Sequence, residues 1–218
     1  MKKIDLSLYF VVHQGHLTTD ALVNIVLQAI QGGVTVVQLR EKDCSFEDFC
    51  ATGRELLNHL RPLRVPLIIN DRVDVAKAIG ADGVHLGQND LNPTAARSIL
   101  GPEAIIGLTV ETFAQGMQAA NLDVDYLGAG PIYPTLTKLD CGPAWDFTEL
   151  DLLCKLSPHP IVGIGGINAS NVSKVFQTKL SGIAVVSAIL NNADPKAAAA
   201  ELMHRKINSR LVCSKLRI

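Results

Sequence analysis

The sequence predicts one closed (β/α)8 barrel, and three observations point to it. Short apolar runs alternate eight times with longer stretches of helical period. The chain has 218 residues, 48% of them hydrophobic and only 5% aromatic, and the apolar runs are built of Val, Ile, Leu, Ala and Gly, as in parallel strands buried on both faces. The first apolar run ends in HQGHLTTD, without the G-x-G-x-x-G turn of an open doubly wound sheet.

Taken in order, the predicted strands are LSLYFVV (6–12), VTVVQLR (34–40), PLIIN (66–70), DGVHL (82–86), AIIGLT (104–109), VDYLGAG (124–130), PIVGIG (160–165) and GIAVVS (182–187). Helical patterns follow them near 19–31, 45–60, 72–79, 92–99, 111–121, 146–156, 168–178 and 195–206. Start signals support several of these. Thr19 and Asp20 precede the first helix, Ser45 with Asp48 resembles a capping box, Asn92 precedes a helix-compatible Pro93, and Asn168 precedes the seventh. The pair Gly32–Gly33 and Gly80 stand where helices should stop. The barrel domain is assigned to residues 1–206, and 207–218 to a basic C-terminal extension.

A formal net charge of −1 excludes the broad basic field of a nucleic-acid binder, so any anion site must be built locally. The five cysteines (44, 50, 141, 154, 213) form no C-x-x-C pair and no zinc spacing, which points to a reduced, cytoplasmic setting. The start MKKIDLSLYFVV reads as a first strand, because its apolar run ends at His13 with no small-residue cleavage site. No stretch approaches the length of a membrane span.

In a barrel the chemistry lies at the C-terminal ends of the strands, and polar residues are concentrated there. Strand two ends Gln38-Leu39-Arg40-Glu41-Lys42, strand three Asn70-Asp71, strand four at Asp90, strand five at Thr109. Strand six runs into GPIYPTLTK (130–138), strand seven ends GIGGIN, and strand eight ends at Val186-Ser187. Gln38 and Arg40 alternate around Leu39 and share one side of the strand. Asp71 and Asp90 end adjacent strands and could share Mg²⁺ with an anionic ligand; each could instead cap the helix after it. The glycines of GIGGI offer backbone N–H groups to a phosphate. Two anion centres result: Arg40, Lys42 and the carboxylates suit a metal diphosphate, and strands six to eight suit a monophosphate. The scattered histidines His13, His16 and His85 are read as structural.

The segments VVQLREKD (36–43), PLIINDR (66–72), GADGVHLGQNDL (80–91), IIGLTVET (105–112), DYLGAGPIYPTLTK (125–138), PIVGIGGIN (160–168) and GIAVVSAI (182–189) together resemble the thiamine phosphate synthase family, in order and over nearly the whole chain. The resemblance implies a cytoplasmic (β/α)8 transferase of thiamine biosynthesis. It would join hydroxymethylpyrimidine diphosphate to a thiazole phosphate, carboxylated or not, and release diphosphate. It assigns Gln38, Leu39, Arg40, Glu41, Lys42, Asn70, Thr109 and Lys138 to the pyrimidine diphosphate, with Arg40, Lys42 and Lys138 neutralising the leaving group. Thr135, Leu136, Thr137, Gly166, Val186 and Ser187 fall to the thiazole phosphate, and Asp71 and Asp90 to Mg²⁺. Two positions depart from the family pattern: Thr109 stands where a serine is usual, and LDCGPAWDF (139–147) is not the usual continuation. A related tautomerase branch carries a histidine where this chain has Glu111. The partners are small molecules, with a homo-oligomer left open.

Overall fold

The computed structural model describes residues 4–135 and 142–215, with side chains through Lys206. Eight parallel strands close on themselves: β1 (Leu8–Val12), β2 (Val36–Leu39), β3 (Leu67–Asn70), β4 (Gly83–Leu86), β5 (Ile105–Val110), β6 (Tyr126–Ala129), β7 (Ile161–Ile164) and β8 (Gly182–Val185). Each strand pairs with the next, and β8 returns to β1 through Leu8↔Ile183 and Phe10↔Val185. The (β/α)8 expectation is met.

The connecting helices are α1 (Thr19–Gln31), α2 (Phe46–Leu60), α3 (Val73–Ile79), α4 (Pro93–Leu100), α5 (Phe113–Gln118), α6 (Phe147–Leu156), α7 (Val172–Val175), α8 (Ser187–Leu190) and α9 (Pro195–Lys215). Their starts follow the capping chemistry with one shift. Thr18, not Thr19, caps α1 by accepting from the Ala21 N–H. Ser45 accepts from the Asp48 N–H at 3.0 Å while its hydroxyl donates to the Asp48 carboxylate, and Asn92 accepts from the Thr94 N–H. Helix α7 is shorter than predicted. The Asn168 side chain accepts from the Ser170 N–H, and the Asn171 side chain accepts from the Asn168 N–H, so this stretch forms side-chain turns instead of a helical ladder. The predicted eighth helix is preceded by the short α8, and the last helix continues past residue 206 to Lys215.

Strand alternation divides the interior in two. The outward residues Phe10, Val37, Leu39, Leu67, Ile69, Val84, Ile106 and Leu127 pack under the helices in the larger apolar cluster. The inward residues Tyr9, Val11, Val36, Ile68, Ile105, Tyr126, Val162 and Ala184 fill the lumen. Two residues further along the same inward parity the character changes: Val36 gives way to Gln38, Ile68 to Asn70, and Ile105, four residues on, to Thr109. The apolar floor closes the barrel, and the polar upper layer opens onto a cavity.

Candidate active site

A cavity of about 420 Å³ lies at the C-terminal ends of the strands. Of the residues singled out in the sequence, Gln38, Arg40, Lys42, Asn70, Asp71, Asp90, Thr109, Thr135, Gly166, Val186 and Ser187 line it. Leu39 and Glu41 do not. Alternation turns Leu39 outward, where it is fully buried against the helices. Glu41 accepts from the Gln14 N–H at 2.5 Å, and Gln14 in turn accepts from the Thr52 hydroxyl. Glu41 therefore ties the loop after β1 to β2, and its side chain does not face the cavity. Leu136, Thr137 and Lys138 lie outside the described residues.

At the floor, Gln38 donates through Nε2 to Asn70 Oδ1 at 2.9 Å, and both side chains are buried. This pairing leaves Gln38 Oε1 as an acceptor and the Asn70 amide nitrogen as a donor, side by side on a lining wall. A planar heterocycle with an amino group beside a ring nitrogen presents the complementary pattern.

Neither aspartate caps the helix after it. Helix α3 has no side-chain cap, and Asn92 caps α4. Asp71 instead leaves β3 in the left-handed region at φ 61°, which Asp tolerates better than most residues, and its N–H donates to the His85 carbonyl at 2.8 Å. Its carboxyl is pushed up from 3.8 to about 6, by burial first and then by the hydrogen bond and charge of Asp90, against the pull of Arg40 and Lys42. Asp90 also accepts from the Gly87 N–H at 2.6 Å, which holds the turn after β4. Two carboxylates close enough to share a proton can share a divalent cation in its place. Their oxygens suit Mg²⁺, which commonly takes one or two carboxylates and completes its shell with substrate phosphates and water. Among the described residues no group of three or more His, Cys, Asp and Glu could hold a metal ion.

A proton and a cation would compete for Asp71. Its folded-state pKa is raised, so ionisation penalises the fold by an amount that is absent below 3.8, grows between there and about 6, and is constant above. Cation binding requires the ionised form. Apparent Mg²⁺ affinity should therefore be flat above about pH 6 and fall up to about tenfold per unit below it. Calorimetric Mg²⁺ titrations, in the presence of diphosphate, on either side of that value check the slope.

The opposite wall joins the loops after β6 and β7. The Gly130–Pro131 bond is cis. Ile132 and Tyr133 donate their N–H groups to the Ile164 and Gly165 carbonyls at 2.9 and 3.0 Å. Trp145, in the stretch that departs from the family pattern, is buried and donates its backbone N–H to the Pro131 carbonyl at 2.9 Å, and Asp146 caps α6. Gly165 and Gly166 both take positive φ, turning the backbone beside Val186 and Ser187 on the cavity wall.

His85, a lone histidine in the sequence, lines the cavity and bridges Tyr126 and Thr109. The available signal was its inward parity on β4, two residues beyond Gly83, with Gly107 on the adjacent β5 and Gly128 one strand further, on β6.

The fold and site define a (β/α)8 enzyme built to hold phosphorylated ligands. A family model described as thiamine monophosphate synthase matches residues 8–189. A thiamine-phosphate synthase of Azorhizobium caulinodans is 48% identical over 91% of this chain and 93% of its own length, and one of Albidiferax ferrireducens is 46% identical over 90% of each. The solved thiamine phosphate pyrophosphorylase of Pyrococcus furiosus superposes with a TM-score of 0.83 at 32% identity, covering 94% of this chain and 97% of that one. The chain belongs to the thiamine monophosphate synthase family, and is a transferase of thiamine biosynthesis.

Proposed function

We propose that the chain joins hydroxymethylpyrimidine diphosphate to a thiazole phosphate in a single cavity with two anion centres, the first of them a Mg²⁺ site. The observation that carries this reading is the close carboxylate pair, Asp71 and Asp90, in one cavity with Arg40 and Lys42. Mg²⁺ held by Asp71 and Asp90 would neutralise charge on the departing diphosphate.

The reaction breaks the bond between the pyrimidine methylene carbon and a diphosphate oxygen, which keeps the electron pair. The ring amino group stabilises the carbocation left behind. The thiazole nitrogen then donates its lone pair to form the C–N bond. No proton has to move and no protein nucleophile is needed. The protein's part is positioning and charge neutralisation. Gln38 and Asn70 orient the pyrimidine through their unpaired amide groups. Arg40 and Lys42, with Lys138 by the family resemblance, stabilise the leaving diphosphate. Thr135 and the backbone around Gly166, Val186 and Ser187 receive the thiazole phosphate, with Leu136 and Thr137 by the family resemblance. The free thiols of Cys44, Cys50 and Cys154 support a reducing, cytoplasmic setting.

The test is formation of thiamine phosphate and diphosphate by the purified protein from the two substrates, with Mg²⁺ and then with excess chelator. Turnover that stops on chelation and returns on adding Mg²⁺ is expected. Turnover that survives complete chelation would remove the metal from the scheme, and no product under any condition would remove the reaction.

A further inference from the structure

Building on that reaction, we infer that Tyr9, Tyr126 and His85 form a buried positioning chain that holds the Thr109 hydroxyl as a hydrogen-bond donor to the pyrimidine diphosphate. The chain crosses four strands of the barrel. The Tyr9 and Tyr126 hydroxyls lie 2.8 Å apart, the Tyr126 hydroxyl is 2.9 Å from His85 Nδ1, and His85 Nε2 is 2.8 Å from Thr109 Oγ1. The Tyr126 and His85 rings stack with centroids 5.4 Å apart.

Each link carries one proton, so the links must point the same way along a neutral imidazole. Two polarities exist. In one, Tyr9 donates to Tyr126, Tyr126 to Nδ1, and Nε2–H to Thr109. In the other every donor is reversed, and the Tyr9 proton is left to find an acceptor elsewhere. Tyr9 is packed in the lumen among Leu6, Val11, Val36, Ile68 and Val162, and among the described residues Tyr126 is the hydrogen-bond partner of its hydroxyl. Burial raises both phenols above their ordinary range, so each keeps a proton to place. The reversed polarity strands a buried hydroxyl proton, and the forward one does not.

Forward polarity fixes the Nε2–H tautomer of His85. Thr109 Oγ1 then accepts from the ring, and its own proton is free to face the cavity it lines. Diphosphate oxygens and pyrimidine ring nitrogens accept hydrogen bonds and cannot donate them. A Thr109 that spent its proton on His85 would offer such a ligand only lone pairs. The barrel leaves room for this chain and for little else. A Cβ on Gly107 would collide with the Tyr126 ring and His85 Nδ1, and one on Gly128 would stand 3.0 Å from His85 Cε1.

Nitrogen-15 NMR of the histidine-labelled full-length protein reads the tautomer without any substrate. The expected result for His85 is an unprotonated Nδ1 and a protonated Nε2, and a proton on Nδ1 would overturn the inference. Kinetics give a second arm. Tyr126→Phe is expected to lower kcat about tenfold in the native background, and less than about twofold in a Thr109→Val background, because the chain acts through that hydroxyl. Equal losses in the two backgrounds would mean that Tyr126 serves packing alone, and would also overturn it. Failure of the native protein to make thiamine phosphate would count against the reaction and leave the tautomer measurement standing.

Discussion

Asp71→Asn is expected to lower kcat/KM for the pyrimidine diphosphate by about 10²–10³-fold, the scale of losing one preorganised charge-stabilising group, and at the same time to make the ligand-free protein slightly more stable. The two effects have one origin. Burial and Asp90 both oppose the charge of this carboxyl and push it up to about 6, so the ionised form that a cation would need costs fold stability. Asparagine keeps the size of the side chain and tolerates the φ of 61° at this position. The N–H bond to the His85 carbonyl stays in place, and the change is confined to one charge. Alanine would add a backbone penalty and blur the result. Steady-state rates across a Mg²⁺ titration, with thermal unfolding of the same samples, make the check. Loss of activity with a lowered unfolding midpoint would indicate damage to the fold, and unchanged activity would remove Asp71 from the metal site.

The barrel was legible because its physics is local. Eight apolar runs of strand length, each followed by a helical period, leave a closed parallel sheet as the simplest way to bury both faces. The polar strand ends were legible for a related reason. Gln38, Asn70 and Thr109 interrupt runs that are otherwise buried, and a polar group there must meet a partner or a ligand. Parity explains what was misjudged. QLREK reads as one polar block at the end of β2, but a strand sends alternate residues to opposite faces, so Gln38, Arg40 and Lys42 line the cavity while Leu39 joins the outer core. The capping alternative for Asp71 and Asp90 could not be settled without backbone geometry, because a carboxylate before a helix looks the same in sequence whichever way it turns.

The Tyr9–Tyr126–His85 chain was not legible because it is wholly non-local. Its members lie on β1, β6 and β4, and only the register that sets His85 beside Gly107, and Gly107 beside Tyr126, brings them together. A lone histidine in a strand carries no mark of its neighbours. The short α7 was missed for the opposite reason, an excess of local signal. Asn168 looked like a helix cap, yet with Ser170 and Asn171 following it, it satisfies the turn without a helix.

Gly166→Ala should raise KM for the thiazole phosphate by about thirtyfold or more and lower stability by about 2–4 kcal/mol. Two terms contribute, and they can be separated. Gly166 sits at φ 63°, where alanine is strained, and a Cβ there would come within 2.6 Å of the Pro134 carbonyl oxygen and 2.7 Å of Tyr133 Cβ. Real contacts are not that short, so either the turn after β7 or the loop after β6 must move. The β6 loop carries Thr135 and is fastened to β7 through the Ile164 and Gly165 carbonyls. Displacing it changes the distance between the hydroxyl side and the backbone side of the proposed phosphate pocket, and a shift of a few tenths of an ångström is enough to weaken charge-assisted hydrogen bonds. Gly80→Ala is the control. That residue has nearly the same φ, 65°, at the end of α3, but the nearest atom to its added Cβ is the Arg61 guanidinium at 3.5 Å. Its substitution should cost about 1 kcal/mol of stability and leave both Michaelis constants unchanged. Kinetics and denaturant unfolding on the two variants decide the matter. If Gly166→Ala behaves like Gly80→Ala, the loops after β6 and β7 do not form the phosphate pocket. If it raises KM for the pyrimidine diphosphate equally, the two anion centres are not separate.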